Sequence, residues 1–123
     1  MLEYVDVLEI ANKHNISSNG LYDKSVEILF DSEQYNLKVI NQLIPFIKSY
    51  LPNKIKTFNK RWDSRMLSKL FAYSIGNHLN STIGEFIIAM IYCGFKYKIS
   101  SNGNVEFNVS EKDVKILNNL RMY

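Results

Sequence analysis

An apolar stretch in the second half of the chain constrains the fold more than any other feature. Residues 83–93 contain a single charged side chain and no Lys or Arg. Ser81 or Thr82 is a suitable N-cap and Gly94 is a natural C-terminal stop, so the stretch is predicted to form one helix. A helix that is apolar nearly all round must be buried in a core or lie in an interface.

The other helices are predicted from apolar residues that recur at spacings of three and four. Pro45 lies inside one of them and predicts a kink or a new helix start. Residues 15–20 form a turn cluster, and residues 21–30 fit either a short helix or a strand. The helices are expected over residues 2–14 and 34–51, after an N-cap at Asp63 or Ser64, and after an N-cap at Ser110.

Residues 95–110 predict a β-hairpin, because apolar and polar residues alternate on both sides of a turn. A two-residue loop would place Ile99 opposite Glu106 and mix the two faces. A three-residue loop over residues 101–103 places Ile99 opposite Val105 and Lys98 opposite Glu106, so this register is expected. The fold class predicted is α+β and mostly helical, with N-terminal helices, one β-hairpin and a C-terminal helix.

Composition places the chain among ordinary globular proteins. Its 123 residues suit a single domain over residues 1–123, and 46% are hydrophobic. One cysteine excludes an intramolecular disulfide framework, and no apolar run is long enough to span a membrane. No secretory signal is visible, so a cytoplasmic location is expected. Frequent Lys and Asn suggest an AT-rich source, such as a phage or mobile element.

Charge divides the chain into two halves of opposite sign. Residues 1–53 hold four basic and seven acidic residues, a net charge of −3. Residues 54–123 hold eleven basic and five acidic residues, a net charge of +6. An acidic helical half joined to a basic half predicts a surface polarised by sign, and nucleic acid is the commonest partner of a basic surface.

A basic and aromatic segment opens the second half. If residues 61–69 are helical, Arg61, Arg65 and Lys69 share one face and would contact successive phosphates. Trp62 would then pack below this row or stack on a base. The alternative interpretation is a solvated face with Trp62 in the core. The candidate phosphate-binding residues of this segment are Lys54, Lys56, Lys60, Arg61, Arg65 and Lys69.

Residues 66–110 contain the sequence Ser74–Leu79, a turn over residues 80–82, the helix that follows, and the closing Gly94-Phe95-Lys96-Tyr97-Lys98 that leads into a hairpin. This stretch resembles a winged helix-turn-helix domain. The resemblance implies double-stranded DNA as the partner, a repressor-like regulatory function and a homodimer on paired half-sites. It also implies that Thr82, Glu85 and Ala89 face bases, and that Lys96, Lys98, Asn102 and Asn104 reach phosphates. Glu85 departs from this pattern, since a carboxylate there repels DNA.

Enzyme, metal and cofactor functions are not indicated. His14, His78 and Cys93 are too far apart in sequence to suggest a metal site, and the glycines match neither nucleotide-binding fingerprint. We therefore expect a protein that is not an enzyme and needs no cofactor. The alternative to DNA binding is a small protein that inhibits or adapts a host or phage protein, using Tyr73, Ile88 and Tyr92 as an apolar interface.

Overall fold

Helices make up most of the described chain, which confirms the α+β, mostly helical class. The computed structural model describes residues 2–14, 16–17, 20–21, 36–75, 81–100 and 104–120. In chain order the elements are α1 (Tyr4–His14), β1 (Ile16–Ser17), β2 (Gly20–Leu21), α2 (Leu37–Tyr50), α3 (Ser64–Ile75), α4 (Ile83–Tyr92), β3 (Tyr97–Ile99), β4 (Val105–Phe107) and α5 (Glu111–Leu120).

The apolar helix α4 lies at the centre of the structure. It contacts α1, α2, α3 and the β1–β2 pair, and its seven consecutive residues from Gly84 to Met90 are all buried. Phe86 links two neighbouring elements, since its ring centroid lies 5.4 Å from that of Phe71 on α3 and 6.4 Å from that of Phe107 on β4. Of the two predicted positions for this helix, a core or an interface, burial in the core of this chain is confirmed.

Both ends of α4 are closed by the residues that the sequence indicates. Thr82 is the N-cap: its side chain accepts a hydrogen bond from the Glu85 N–H, and the Glu85 carboxylate accepts one from the Thr82 N–H at 2.9 Å. This reciprocal capping box satisfies two of the donors that a helix start leaves unpaired. Glu85 also accepts from the backbone N–H of Asn36, which ties α2 to α4. At the other end Gly94 adopts a φ of 92°, a conformation that favours glycine.

Replacing Thr82 with Ala should lower the free energy of unfolding by about 1 kcal/mol, because the N-cap acceptor is lost. Thr82→Ser keeps the hydroxyl and should retain most of the stability. Urea denaturation of both variants measures the difference. Unchanged stability combined with weaker DNA binding would contradict the capping role and assign Thr82 to the DNA contact that the winged-helix resemblance implies.

Helix α2 continues through Pro45 without a new start. Its N-cap, Asn36, accepts a hydrogen bond from the Val39 N–H at 3.2 Å. Pro45 is exposed, so the ring that interrupts the backbone ladder faces away from the core. The face opposite solvent carries the buried residues Ile40, Leu43, Ile44 and Ile47.

The turn cluster predicted after α1 contains a second, shorter strand pair. Helix α1 ends at His14, as expected. Ile16 then pairs with Leu21, and Ser17 pairs with Gly20, in antiparallel register. Ile16 is completely buried, which anchors this pair to the core. Residues 22–30 lie outside the described residues, so the choice between helix and strand there stays open.

The hairpin has the register predicted from alternation. Ile99 lies opposite Val105, Lys98 opposite Glu106 and Tyr97 opposite Phe107. The predicted loop, residues 101–103, lies outside the described residues. Each strand is only three residues long, and all five residues from Val105 to Val109 are buried. Burial of both faces shows that another part of the chain covers β4.

Candidate nucleic-acid interface

Residues 54–62, which we call the strap, are the segment that covers β4. The strap contains no helix. It runs antiparallel to β4 and to the residues that follow β4, on the side away from β3. Lys54 forms a β-bridge with Val109. The Ile55 N–H donates to the Asn108 carbonyl at 3.0 Å, and the Asn59 N–H donates to the Phe107 carbonyl at 2.9 Å. The basic segment before α3 is therefore a loop whose backbone is anchored to the sheet.

Asn59 fixes the shape of the strap. Its Oδ1 accepts hydrogen bonds from the N–H groups of Arg61 at 2.9 Å and Trp62 at 3.1 Å. Its Nδ2 donates to Glu111 Oε2 at 2.9 Å, which joins the strap to the first turn of α5. The side chain is buried, so these bonds are shielded from water. Trp62 is half-buried against the core, which fits both packing below the basic residues and the solvated-face alternative.

The fold brings the strap and the hairpin lysines together. Lys98 Nζ lies 5.8 Å from the centroid of the Phe58 ring. Lys54 Nζ lies 4.7 Å from the centroid of the Phe95 ring. Phe95 directly precedes Lys96 in the sequence. Each contact joins a lysine of one segment to an aromatic ring of the other, about 40 residues away in sequence. The basic segment and the hairpin are therefore neighbours in the structure.

The predicted row of three cations on one helix is wrong. Asp63 caps α3, because its Oδ1 accepts a backbone N–H from the first turn at 3.1 Å. Arg61 therefore lies before the helix, in the strap, where its Nη1 is 3.7 Å from Glu111 Oε1. Arg65 and Lys69 remain four residues apart on α3 and are both exposed. The Asn59 hydrogen bonds, which sequence spacing does not reveal, explain why the helix does not begin earlier.

Burial separates the two signs of charge in the described residues of the basic half. None of its five carboxylates is exposed: Asp63, Glu85, Glu106, Glu111 and Asp113 are buried or half-buried. Every described basic residue there is exposed, namely Lys54, Lys56, Lys60, Arg61, Arg65, Lys69, Lys96, Lys98, Lys112 and Lys115. The solvent-facing charge of this half is therefore almost entirely positive.

Most of these carboxylates are held by hydrogen bonds that build the fold. The Asp63 and Glu85 carboxylates accept backbone N–H groups at helix starts, and the Glu111 carboxylate accepts from Asn59 on the strap. Asp113 accepts from the Asn53 backbone N–H at 3.1 Å and from its side chain at 3.2 Å. Glu106 is buried in the sheet opposite Lys98. The carboxylates still offset part of this charge at long range, but the charged groups that an approaching anion meets first are the exposed lysines and arginines.

The chain matches no family model, no curated protein and no solved structure. The winged-helix resemblance consequently rests on the quoted residues alone.

The base contacts that the resemblance implies for α4 are contradicted by burial. Glu85 is 4% exposed and Ala89 is fully buried, so neither side chain faces a ligand. Thr82 is exposed, but its side chain is occupied as an N-cap. Because α4 is surrounded by other elements, it cannot enter a DNA groove in this structure. The sequence signals for a core helix and for a recognition helix conflicted here, and core packing prevailed.

The remaining predicted residues have different surroundings. Asn104 is half-buried and donates from Nδ2 to Asp63 Oδ2 at 3.2 Å, so it helps to hold the hairpin against α3. Asn102 lies outside the described residues. The prediction that Ile88 belongs to an exposed apolar interface is wrong, because Ile88 is fully buried. Tyr92, from the same predicted interface, is exposed. The side chain of Tyr73 is not described.

Cys93 and His14 are partly buried, and burial shifts the pKa of each side chain. Burial raises the pKa of the Cys93 thiol, and nearby Lys48 and Lys54 oppose that effect only in part. Burial also lowers the pKa of His14, whose Nδ1 lies 2.8 Å from the Tyr97 hydroxyl and so links α1 to β3. In the described part of the chain, no three His, Cys, Asp or Glu residues form a metal cluster. Nor is any described helix of the length and apolarity that crossing a membrane requires.

Proposed function

We propose that the protein is a DNA-binding regulator without catalytic activity, and that it binds double-stranded DNA through the phosphate backbone. The observation that carries this proposal is the separation of charge in the basic half. Exposed lysines and arginines there face solvent, whereas the described carboxylates are buried or half-buried in the fold. Release of counterions from DNA favours binding to such a surface without any base contact.

The strap and β3 provide the main contact surface of the proposal. Lys56 and Lys60 are exposed on the strap, Lys96 is exposed directly before β3, and Lys98 is exposed in the middle of β3. Phe58 lies beneath Lys98, so the two groups of lysines form one surface. Phosphate contacts fix position on DNA but do not read its sequence. With α4 buried, binding is expected to depend weakly on base sequence.

Changing Lys56, Lys60 and Lys98 to Gln should weaken binding of a random-sequence duplex at least about tenfold at low salt, because three phosphate contacts are lost. Fluorescence anisotropy of labelled DNA measures the affinity. The three side chains are exposed, so stability should change little.

The matched control changes Lys13 and Lys38 to Gln and is compared with a double variant in which Lys56 and Lys60 are changed to Gln. Lys13 and Lys38 are also exposed, and the control removes the same amount of charge from the acidic half. It should bind DNA nearly as well as the wild type. Equal losses in the two variants would show that net charge alone attracts DNA. Absence of binding by the wild type at low salt would contradict the proposal and direct attention to a protein partner.

A further inference from the structure

A surface recess lies between the strap and the beginning of α5. Its volume is about 280 Å³. Strap residues form most of its wall, and α5 contributes one carboxylate. The residues that line it are Ile55, Thr57, Phe58, Asn59, Arg61 and Glu111.

The wall of this recess combines an aromatic ring with hydrogen-bonding groups. Phe58 is half-buried, which holds the ring in place at the surface. The Arg61 side chain is 77% exposed and approaches Glu111 only to 3.7 Å, so its guanidinium group can donate to a ligand. The Glu111 carboxylate can accept from a ligand in addition to Asn59. A planar group with polar edges suits such a wall.

Exposed lysines that adjoin the lining residues in sequence favour an anionic ligand. Lys56 and Lys60 neighbour the lining residues along the strap, and Lys112 follows Glu111 on α5. All three are exposed. A planar polar group attached to phosphates is the chemistry of a nucleotide unit. In a duplex the bases are paired and stacked, whereas single-stranded DNA offers unpaired bases to aromatic side chains.

We infer that the recess receives an unpaired base of single-stranded DNA, stacked on Phe58, while the surrounding lysines contact the adjacent phosphates. This inference rests on the proposed function, since the same cationic surface holds the phosphates. It adds a preference for melted or single-stranded stretches over closed duplex.

Phe58→Leu tests the stacking contact, because leucine preserves apolar volume but has no ring. The variant should bind an oligothymidine strand at least about fivefold more weakly than the wild type. Its affinity for a duplex of the same length should fall much less, because a closed duplex offers no unpaired base to the ring. Phe58→Tyr should restore binding of the single strand. The control is Phe46→Leu, a half-buried aromatic residue on α2, which should affect neither ligand. Equal loss of single-strand and duplex binding in Phe58→Leu would overturn the inference.

A second measurement uses the wild-type protein and so does not depend on the folding of a variant. An abasic single strand carries the same phosphates as the oligothymidine strand but no bases. It should bind at least about fivefold more weakly if a base enters the recess. Equal affinities of the two strands would overturn this inference while leaving phosphate binding intact. If neither strand nor duplex binds, both the inference and the proposed function are wrong.

Discussion

Ile88→Ala should lower the free energy of unfolding by about 2–5 kcal/mol, because it leaves a cavity in the hydrophobic core. Ile88 lies on α4, where it is completely buried and flanked by other buried residues. The elements around α4 come from both halves of the sequence, so the cavity would weaken the packing of the whole core. Chemical denaturation followed by circular dichroism measures the change.

The matched control for this substitution is Ile116→Ala on α5. Ile116 is 54% exposed, so the same chemical change in another helix removes little buried surface. The control should therefore change stability much less than Ile88→Ala. Equal effects would contradict the placement of α4 at the centre of the core. Unchanged stability of Ile88→Ala would instead favour the exposed apolar interface that the alternative to DNA binding requires.

Asn59→Ala should lower stability by about 1–3 kcal/mol, because it leaves buried hydrogen-bonding groups without a partner. The Arg61 and Trp62 N–H groups lose their acceptor, and Glu111 loses a donor. The substitution removes no charge, yet it frees the strap that positions Lys56 and Lys60. We therefore expect weaker duplex binding by the folded variant. Denaturation and anisotropy measure the two effects separately.

Asn41→Ala is the control for the strap. The Asn41 side chain also makes two backbone hydrogen bonds, accepting from the Leu2 N–H and donating to the Leu2 carbonyl, both at 3.1 Å. These bonds hold the N-terminal segment against α2, away from the strap. The control should lose stability without losing DNA affinity. If Asn59→Ala binds duplex as well as the wild type, the ordered strap is not needed for binding.

Local sequence patterns predicted the helices and the hairpin because their determinants are local. The Thr82 cap, the Gly94 stop and the uniform apolarity between them determine α4. The alternation in residues 95–110 favours the hairpin register found, since a two-residue loop would mix the faces. Asp63 and Ser64 were both suitable caps for α3; the structure uses Asp63, while Ser64 Oγ accepts from the Val105 N–H at 3.2 Å.

The strap was less predictable because tertiary contacts determine it. No periodicity in residues 54–62 reveals that Asn59 donates to Glu111 or that its backbone N–H pairs with Phe107. The charge difference between the two halves was visible in the sequence, but the burial of the carboxylates was not. The resemblance to a winged helix assigned Glu85 to DNA, whereas its carboxylate caps α4 and accepts from Asn36.

The most direct test of the phosphate-binding surface is the salt dependence of duplex affinity. Anisotropy titrations between about 50 and 200 mM salt should give a steep linear decline on a log–log plot for the wild type. The variant with Lys56, Lys60 and Lys98 changed to Gln should have a slope smaller by about three, one for each lost phosphate contact. A slope unchanged by these substitutions, or no wild-type binding at the lowest salt, would contradict the account.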